Sequence, residues 1–461
     1  MPEFPEVNVV IKKLELRTLG KTIKSVDVLR EQTIEGDVEN FKKTLEGSTI
    51  NSFEQIGKFI VFHLSNKHVI VSHLRMEGKY FFKEEKSALG KHDLVVFHFT
   101  DDTKLVYNDT RRFGRMSVES ELNYKEVPPL CNVGPNPFEM NDASLLENAY
   151  KNKSIAIKTA LLDQSIMSGL GNIYTDEVLF IANIHPETPA KMVSRPQLEE
   201  ILKASKKVLD AAMKAGGSTI HSFTSEEGIA GDFQVQLQVY GKKDGTCPKC
   251  GAKLRKIFVN GRGTTYCPKC QKNPGIPVLF GVTGPIGAGK STVSQIIAKH
   301  GFRLLDCDQI VHDLYKLDDV QSQIKKIIPS LKITDGDIDR AWLKLFLIDN
   351  PKKKKQLEKL VHSLVVKRVE DELKHSKQPV LVEAAFLFET ELYQLCDVTI
   401  YVDAPKDKQI EHLKARGDDV EKALKLNANF NEQNKEKATM IIINDNDVAS
   451  LDKQINSIFD K

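Results

Sequence analysis

Behind the opening MPEFPEV, the apolar residues Val7, Val10, Ile11 and Leu14 recur at i, i+3, i+4 and i+7. That spacing predicts a helix with one buried face, starting just past the prolines. The period then shortens. FIVFHLS (59–65), HVIVSHL (68–74), LVVFHFT (94–100) and KLVYND (104–109) are short and rich in β-branched and aromatic residues, with turn signals such as Thr100-Asp101-Asp102 between them. They predict the strands of a sandwich or barrel-like sheet. VPPL and VGPNPF, within 127–138, form a proline-rich crossing that reads as a linker. From Asp142 to about Gly216 the spacing is helical, and in LLDQSIMSGLGNIYTDEVLF (161–180) two helical runs flank the turn SGLGN, a helix-turn-helix-like unit. At PGIPVLFGVTGPIGAGKS the pattern becomes strand, glycine loop and helix, and β and α segments alternate to the end. That alternation predicts a parallel sheet covered by helices. The boundary falls near Lys272–Pro277, almost without a spacer.

A chain of 461 residues is too long for one ordinary core and implies two to four domains. No cationic start leads into an apolar run, and no stretch reaches the roughly 18 apolar residues of a membrane span, so a cytoplasmic protein with no membrane partner is expected. The net charge of +3 is small, but Lys242 to Lys272 holds nine basic residues against one acidic residue, Asp244. Such an excess is either a solvated face or the footprint of a polyanion.

Four of the seven cysteines are paired as CPKC at 247–250 and CPKC at 267–270. Each CxxC turn presents two thiolates, and two turns close a tetrahedral all-sulfur site, so Cys247, Cys250, Cys267 and Cys270 are expected to hold one structural Zn2+ with no open position. Cys131, Cys307 and Cys396 read as ordinary reduced thiols. Between the knuckles, KLRKIFVNGRGTTYC reads as two strands turning at Asn260-Gly261, with Arg262 at the tip.

With these residues in view, 1–273 resembles the bacterial formamidopyrimidine-DNA glycosylases. The likeness runs through MPEFPEV, HLRMEGKY (73–80), KHD (91–93), YNDTRRFG (107–114), GLGNIYTDEVL, GGSTI (216–220) and NGRGTTYCPKCQ. It implies that Pro2, freed by loss of Met1, is a nucleophilic amine, with Glu3 as general acid/base and Glu6 in support. It further implies Lys58 and Arg262 as proton donors in β- and δ-elimination. Met76, Arg111 and Phe113 would fill the space of an extruded base, although Met76 and Phe113 taken alone read as core positions. His92, Lys153 and Asn172 correspond to phosphate contacts of damaged double-stranded DNA, and Ser218–Gly231 to the loop over the lesion. Glu177 has no assigned role, because a helix-surface carboxylate explains it equally well. Oxidised purines, 8-oxoguanine and formamidopyrimidines, are the implied substrates, with oxidised pyrimidines as the alternative.

The second half carries GxxxxGKS after an apolar strand: Gly284, Gly287, Ala288, Gly289, Lys290, Ser291 and Thr292 form a phosphate loop for ATP. Its backbone N–H groups face phosphate oxygens, Lys290 reaches the β- and γ-phosphates, and Ser291 holds Mg2+. LLDCDQIVHDLY (304–315), IDRAWL (338–343), LEKLVHSLV (357–365) and LVEAAFLFE (381–389) then resemble dephospho-coenzyme A kinase. The resemblance implies Asp308 as the base or the carboxylate that orients the hydroxyl, Asp306 and Arg340 near dephospho-CoA, and Arg416 in the lid. Departures stand beside it. Glu383-Ala384-Ala385 replaces Asp-x-Pro, His362-Ser363 replaces His-Pro, His412 and Lys425 replace arginines, and Asn429 replaces a glutamine. Lysine lacks arginine's bidentate fork.

The expected organisation is a β-sandwich (1–125), a helix-two-turn-helix bundle (142–235), a zinc β-hairpin (240–273) and an α/β P-loop kinase domain with a parallel sheet (277–461), with helices inserted around 310–375. The DNA cleft is expected between the first two domains, floored by the bundle turn and the hairpin. The expected activities are a DNA glycosylase/lyase and a CoA-forming kinase in one monomeric chain. The alternatives are a catalytically weak nucleotide-binding second half, or a DNA-binding protein that uses it only to sense ATP.

Overall fold

The computed structural model describes residues 2–217, 237–334, 336–421, 433–445 and 447–459. They divide into two compact units, Met1–Asn273 and Pro274–Lys461. No helix among the described residues is long and apolar enough to cross a membrane.

The first helix, Phe4–Thr18, begins where the proline pattern lets it. Pro5 occupies the first turn, where its missing N–H costs nothing, and Glu6 reaches back to accept from the Glu3 N–H at 2.9 Å. Its buried stripe divides between two cores. Val7, Val10, Ile11 and Leu14 pack into the sandwich, while Phe4 packs into the helical bundle.

The sandwich consists of two antiparallel sheets of four strands each. One runs in the order Ile23–Val28, Asp93–Phe99, Thr103–Asn108, Lys79–Glu84; the other Ile50–Ile56, Phe59–Leu64, His68–His73, Arg115–Ser120. The four apolar runs visible in the sequence are thus half of the strands. The others, such as IKSVDV and INSFEQI, carry too many polar residues on their outer faces to stand out.

Helices Ser144–Tyr150, Ile157–Leu161, Asn172–Ile181 and Arg195–Lys214 form the bundle. Helix Asn172–Ile181 joins two cores: Ile173, Tyr174, Val178 and Leu179 belong to the bundle, and Phe180 packs with the cysteine knuckles. The hairpin strands Arg255–Val259 and Arg262–Tyr266 turn at Asn260 and Gly261, whose φ values of +47° and +72° are those of a type I′ turn.

The second unit is a five-stranded parallel sheet in the order Arg303–Asp306, Val380–Glu383, Leu279–Thr283, Val398–Asp403, Met440–Ile443. Alternate residues of its strands enter different cores. Leu279, Val380 and Val382 meet the core shared with helix Pro351–His375, while Phe280, Val282 and Leu381 meet the one shared with helices Lys290–Lys299 and Val448–Phe459. Helices therefore cover both faces, and loops at the carboxyl ends of the strands are left to bind ligands. The inserted segment after residue 307 is mainly helical, with a short hairpin pairing Ile333–Thr334 with Asp337–Ile338.

Trp342, the only tryptophan in the chain, packs against the second unit's core and reports on it alone. Leu381→Ala, at a fully buried position, should cost that unit about 2–5 kcal/mol, read as a lower urea midpoint in tryptophan fluorescence.

Candidate active sites

Glu3 is buried, yet its carboxylate has several partners. Oε2 accepts from the Gly171 N–H at 2.7 Å and from Tyr174 at 3.4 Å, and Oε1 accepts from Ile173 at 2.9 Å. Residue 3 thus fills the N-terminus of helix Asn172–Ile181, where free N–H groups and the helix dipole favour an anion. The approach requires glycine: a Cβ on Gly171 would lie 2.3 Å from the Glu3 carboxyl carbon. Burial nonetheless dominates and pushes the Glu3 pKa up to about 7, opposed by Lys58 and the backbone donors and reinforced by Glu6. Glu6 in turn accepts from the Tyr174 hydroxyl at 2.6 Å.

Lys58 follows Gly57, whose φ is +55°, and its ammonium donates to the Leu170 carbonyl at 2.6 Å. Burial lowers its pKa to about 8; Glu3 resists that shift and Arg262 adds to it. Arg262 is exposed at the hairpin tip, close enough for its charge to act on Lys58 and on Lys158. Pro2 is buried next to Glu3 in the chain. Glu3, Lys58 and Arg262 thus converge, although 259 positions separate the first from the last.

The other residues singled out in the sequence lie as follows. Met76 and Phe113 are 36% and 50% exposed, which excludes core packing for both. Arg111 stacks its guanidinium over the Phe113 ring at 5.1 Å. Their loop is held by the buried Asp109, which accepts from the N–H groups of Arg111, Phe113 and Gly114 at 2.8–2.9 Å. His92 has a buried Nδ1 without a partner. Lys153 lies 3.8 Å from Asp163 on the surface. Asn172 donates to the Gly263 carbonyl of the hairpin at 3.2 Å, leaving its buried Oδ1 unpaired. Ser218–Gly231 lies outside the described residues, as do Lys425 and Asn429.

Glu177 corrects the surface reading. It is 3% exposed and accepts from the N–H groups of Gln238, Val239 and Tyr240 at 2.8–2.9 Å, pinning the chain that leads into the cysteine knuckles. One residue earlier, Asp176 forms a fully buried pair with Lys158 at 2.6 Å and accepts from the Thr265 N–H of the hairpin. Lys158 also donates to the Thr264 hydroxyl at 2.7 Å. Burial pushes Asp176 up and Lys158 down, and each partner holds the other ionised. Only the clustering TDE on a short helix hinted at this pair of grips in the sequence.

The four cysteine sulfurs lie within 4.8 Å of one another, with Cys247–Cys270 at 3.9 Å and Cys250–Cys267 at 3.5 Å. Tetrahedral Zn–S bonds of about 2.3 Å place sulfurs about 3.8 Å apart, so the set fits one structural Zn2+.

In the second unit the phosphate loop follows the central strand and opens helix Lys290–Lys299. A Cβ on Gly289, at φ +92°, would meet the Asn444 amide at 2.2 Å; that amide donates to the Ala288 carbonyl. Gly287 accepts from a His412 ring nitrogen at 2.8 Å, and Thr292 is half-buried in the helix's first turn. Lys290 spans the loop, donating to the carbonyls of Gly284 and Pro285 at 3.0 and 3.1 Å. Burial lowers its pKa, opposed by Glu383 and Asp308 and assisted by Arg416, so all three charges lie around it. Burial and Asp306 raise the Asp308 pKa, while Asp306 itself caps helix Cys307–Leu314. Glu383 is more than a departure from pattern: it accepts from the Ser291 hydroxyl at 2.8 Å, beside the position where that hydroxyl would hold Mg2+. Arg340 lies over the Tyr315 ring at 5.9 Å, and His362 stacks on Phe386. The loop, the Ser291 hydroxyl and the carboxylates of Glu383 and Asp308 fit ATP with Mg2+.

A buried acid and lysine at a bundle turn beside a four-thiol hairpin, followed by a P-loop sheet, define the class: a sandwich, helical-bundle and zinc-hairpin unit followed by a P-loop α/β unit. The family comparisons agree. Models of the formamidopyrimidine-DNA glycosylase N-terminal domain, its H2TH domain and the zinc finger found in FPG and IleRS match residues 1–116, 133–224 and 245–273. The dephospho-CoA kinase model matches 278–450. Formamidopyrimidine-DNA glycosylases of Mycoplasma mobile and Shouchella clausii are each 45% identical over 273 and 277 residues, covering 59% of this chain and 99% and 100% of theirs. Lactococcus lactis Fpg bound to DNA with an abasic site is similar at 36% identity and a TM-score of 0.55, over 59% of this chain and all of that one. MutM in complex with DNA containing carbocyclic 8-oxo-G gives 37% and 0.55 over the same shares. The chain belongs to the formamidopyrimidine-DNA glycosylase family through residues 1–273 and carries a dephospho-CoA kinase domain after them.

Lys158→Met leaves the buried Asp176 carboxyl without its counter-ion, so that it must remain charged at a cost or take up a proton, and should destabilise the first unit by about 3–5 kcal/mol. Lys158→Met/Asp176→Leu should recover part of that loss, measured by circular dichroism in urea.

Proposed function

We propose that the first unit excises oxidised purines from duplex DNA and cleaves the strand, and that the second makes CoA from dephospho-CoA. The observation that carries the first reading is Glu3 held on the helix terminus with Lys58 and Arg262 within charge range.

In this reading the lesion leaves the stack, because C1′ cannot be reached inside it. Met76, Arg111 and Phe113 occupy the gap, with Arg111 facing the estranged base. His92, Lys153 and Asn172 hold phosphates. The Pro2 nitrogen, an α-amine whose ordinary pKa near 8 leaves a neutral fraction at pH 7, attacks C1′. The C1′–N bond to the base breaks, the base leaves with the bonding pair and takes up the proton shed by the Pro2 nitrogen, and ring opening then leaves an iminium joining Pro2 to the sugar. Glu3, protonated up to about pH 7, gives its proton to the ring oxygen as the sugar opens. Lys58 and Arg262 then serve the two eliminations as donors. Cys247, Cys250, Cys267 and Cys270 would hold the structural Zn2+ that fixes the hairpin carrying Arg262.

In the second unit, Asp308 orients and deprotonates the 3′-hydroxyl of dephospho-CoA. Lys290, with Arg416 nearby, offsets the charge of the transferring phosphoryl group. Ser291 and Glu383 would supply oxygens for Mg2+, which would neutralise phosphate charge when bound. Asp306 and Arg340 border the acceptor. His412, bonded to the phosphate loop where the family has arginine, favours a slower kinase over an inert one.

Borohydride should trap a covalent adduct between this chain and a duplex containing 8-oxoguanine. No adduct from a chain with a free Pro2 amine would remove the glycosylase reading, and preference for an oxidised pyrimidine would redirect it. Single-turnover excision should slow above about pH 7 as Glu3 loses its proton, while strand scission should persist to about pH 8, where Lys58 deprotonates. For the second unit, ATP-dependent CoA formation should disappear in Lys290→Ala. Parent activity no higher than this variant's would leave only nucleotide binding.

A further inference from the structure

The knuckle residue Lys249 lies in the most basic stretch of the chain, yet its ammonium does not offer itself to a polyanion. It donates to the carbonyls of Phe180 and Ile181 at 2.7 and 3.1 Å and to the Asn183 side chain at 2.8 Å, and it sits 4.4 Å from the centre of the Phe180 ring. An ammonium has three hydrogens, and three acceptors take them. Phe180 and Ile181 are the last residues of helix Asn172–Ile181, so the cation sits where the helix carbonyls lack partners and the dipole is negative. The other end of this ten-residue helix receives the Glu3 carboxylate. Cys247 and Cys250 flank Lys249 in the first knuckle, and Phe180 packs among the cysteines.

We propose that Lys249 is a positioning residue that ties the four-thiolate knuckle to the helix holding Glu3, so that an intact metal site keeps the catalytic carboxylate in register. The proposal rests on the glycosylase reading for its catalytic consequence but not for its structural one. Within the helix the flanks are gripped by Asp176 and Glu177, and the ends by charges of opposite sign from residues 3 and 249. If the C-terminal grip is removed, the first-turn N–H groups that hold the Glu3 carboxylate lose their fixed position. Those bonds favour the ionised form, so weakening them moves the Glu3 ionisation upward.

The test uses the full zinc-loaded chain and the variants Lys249→Met, Lys249→Arg and Asn183→Gly. The Asn183 φ of +55° suits glycine, so that variant removes one acceptor without touching the knuckle. Lys249→Met should retain one zinc and exchange the Ile173 and Tyr174 amides about tenfold faster, since helix ends open locally before the whole fold does. Adduct formation at pH 7 should slow about five- to tenfold, and the Glu3-governed limb of its pH profile should move to higher pH. Lys249→Arg should return exchange and rate to within about twofold of the parent, because a guanidinium can also donate to helix carbonyls. Unchanged exchange at Ile173 and Tyr174 in zinc-loaded Lys249→Met would overturn the coupling, as would slower chemistry with the pH limb unmoved. If Lys249→Met fails to load zinc, Asn183→Gly decides: faster exchange at the same two amides sustains the coupling and parental exchange sinks it. A parent chain that forms no adduct removes the glycosylase reading, while the amide exchange still judges the strap.

Discussion

A carboxylate that has left water must find donors, and Glu3 finds them only at the end of a helix whose first residue lies 169 positions later in the chain. The rest of the first unit serves that contact. The opening helix has to bury Phe4 in the bundle while its other apolar residues enter the sandwich, which fixes residue 3 between the two. The turn before helix Asn172–Ile181 must stay free of side chains at Gly171, and its Leu170 carbonyl must point at Lys58. The helix itself must not shift, and four charged side chains prevent it: Glu3 and Lys249 at its ends, Asp176 and Glu177 along its length. Its two acidic residues hold the hairpin and the segment 238–240 that leads into the knuckles, so the metal site and the acid share one rigid support.

Both units use the same physical device for different charges. A helix N-terminus approached through a glycine accepts the protein's own carboxylate in the first unit and offers a cradle for phosphate in the second. At Gly171 the space reserved by the absent Cβ is taken by Glu3. At Gly289 it is taken by the Asn444 amide, which braces the loop through the Ala288 carbonyl. In each case a lysine drawn out of water stands beside the acid groups with its proton affinity lowered by burial, the buried Lys58 in one unit and the half-buried Lys290 in the other. Low local polarity makes each charge act strongly on its neighbours, and it shifts the Glu3 and Lys58 pKa values towards each other, to about 7 and about 8.

Local pattern was a good guide wherever one segment determines the outcome. The helical stripe from Val7, the apolar strands at 59–64 and 68–73, the Asn260-Gly261 turn, the paired CxxC knuckles and the phosphate loop all depend on residues within a few positions of one another. Their periodicity and turn chemistry are therefore written locally. Strands with polar outer faces, such as Ile23–Val28, escaped notice because half of each repeat faces water.

Glu177 and Glu383 mark the limit of that guide. A glutamate on a short helix looks the same in sequence whether it faces water or three backbone N–H groups brought from 61 to 63 residues away. Glu383 in place of an aspartate looks like a loss until Ser291 is found against its carboxylate. By itself the sequence determined the opening helix, the strands with apolar runs, the thiolate knuckles and the phosphate loop, because short-range backbone preference and side-chain period suffice for those. The fold alone decided which charges meet, because burial and distance between remote segments set the strength of a charge and the partner it finds.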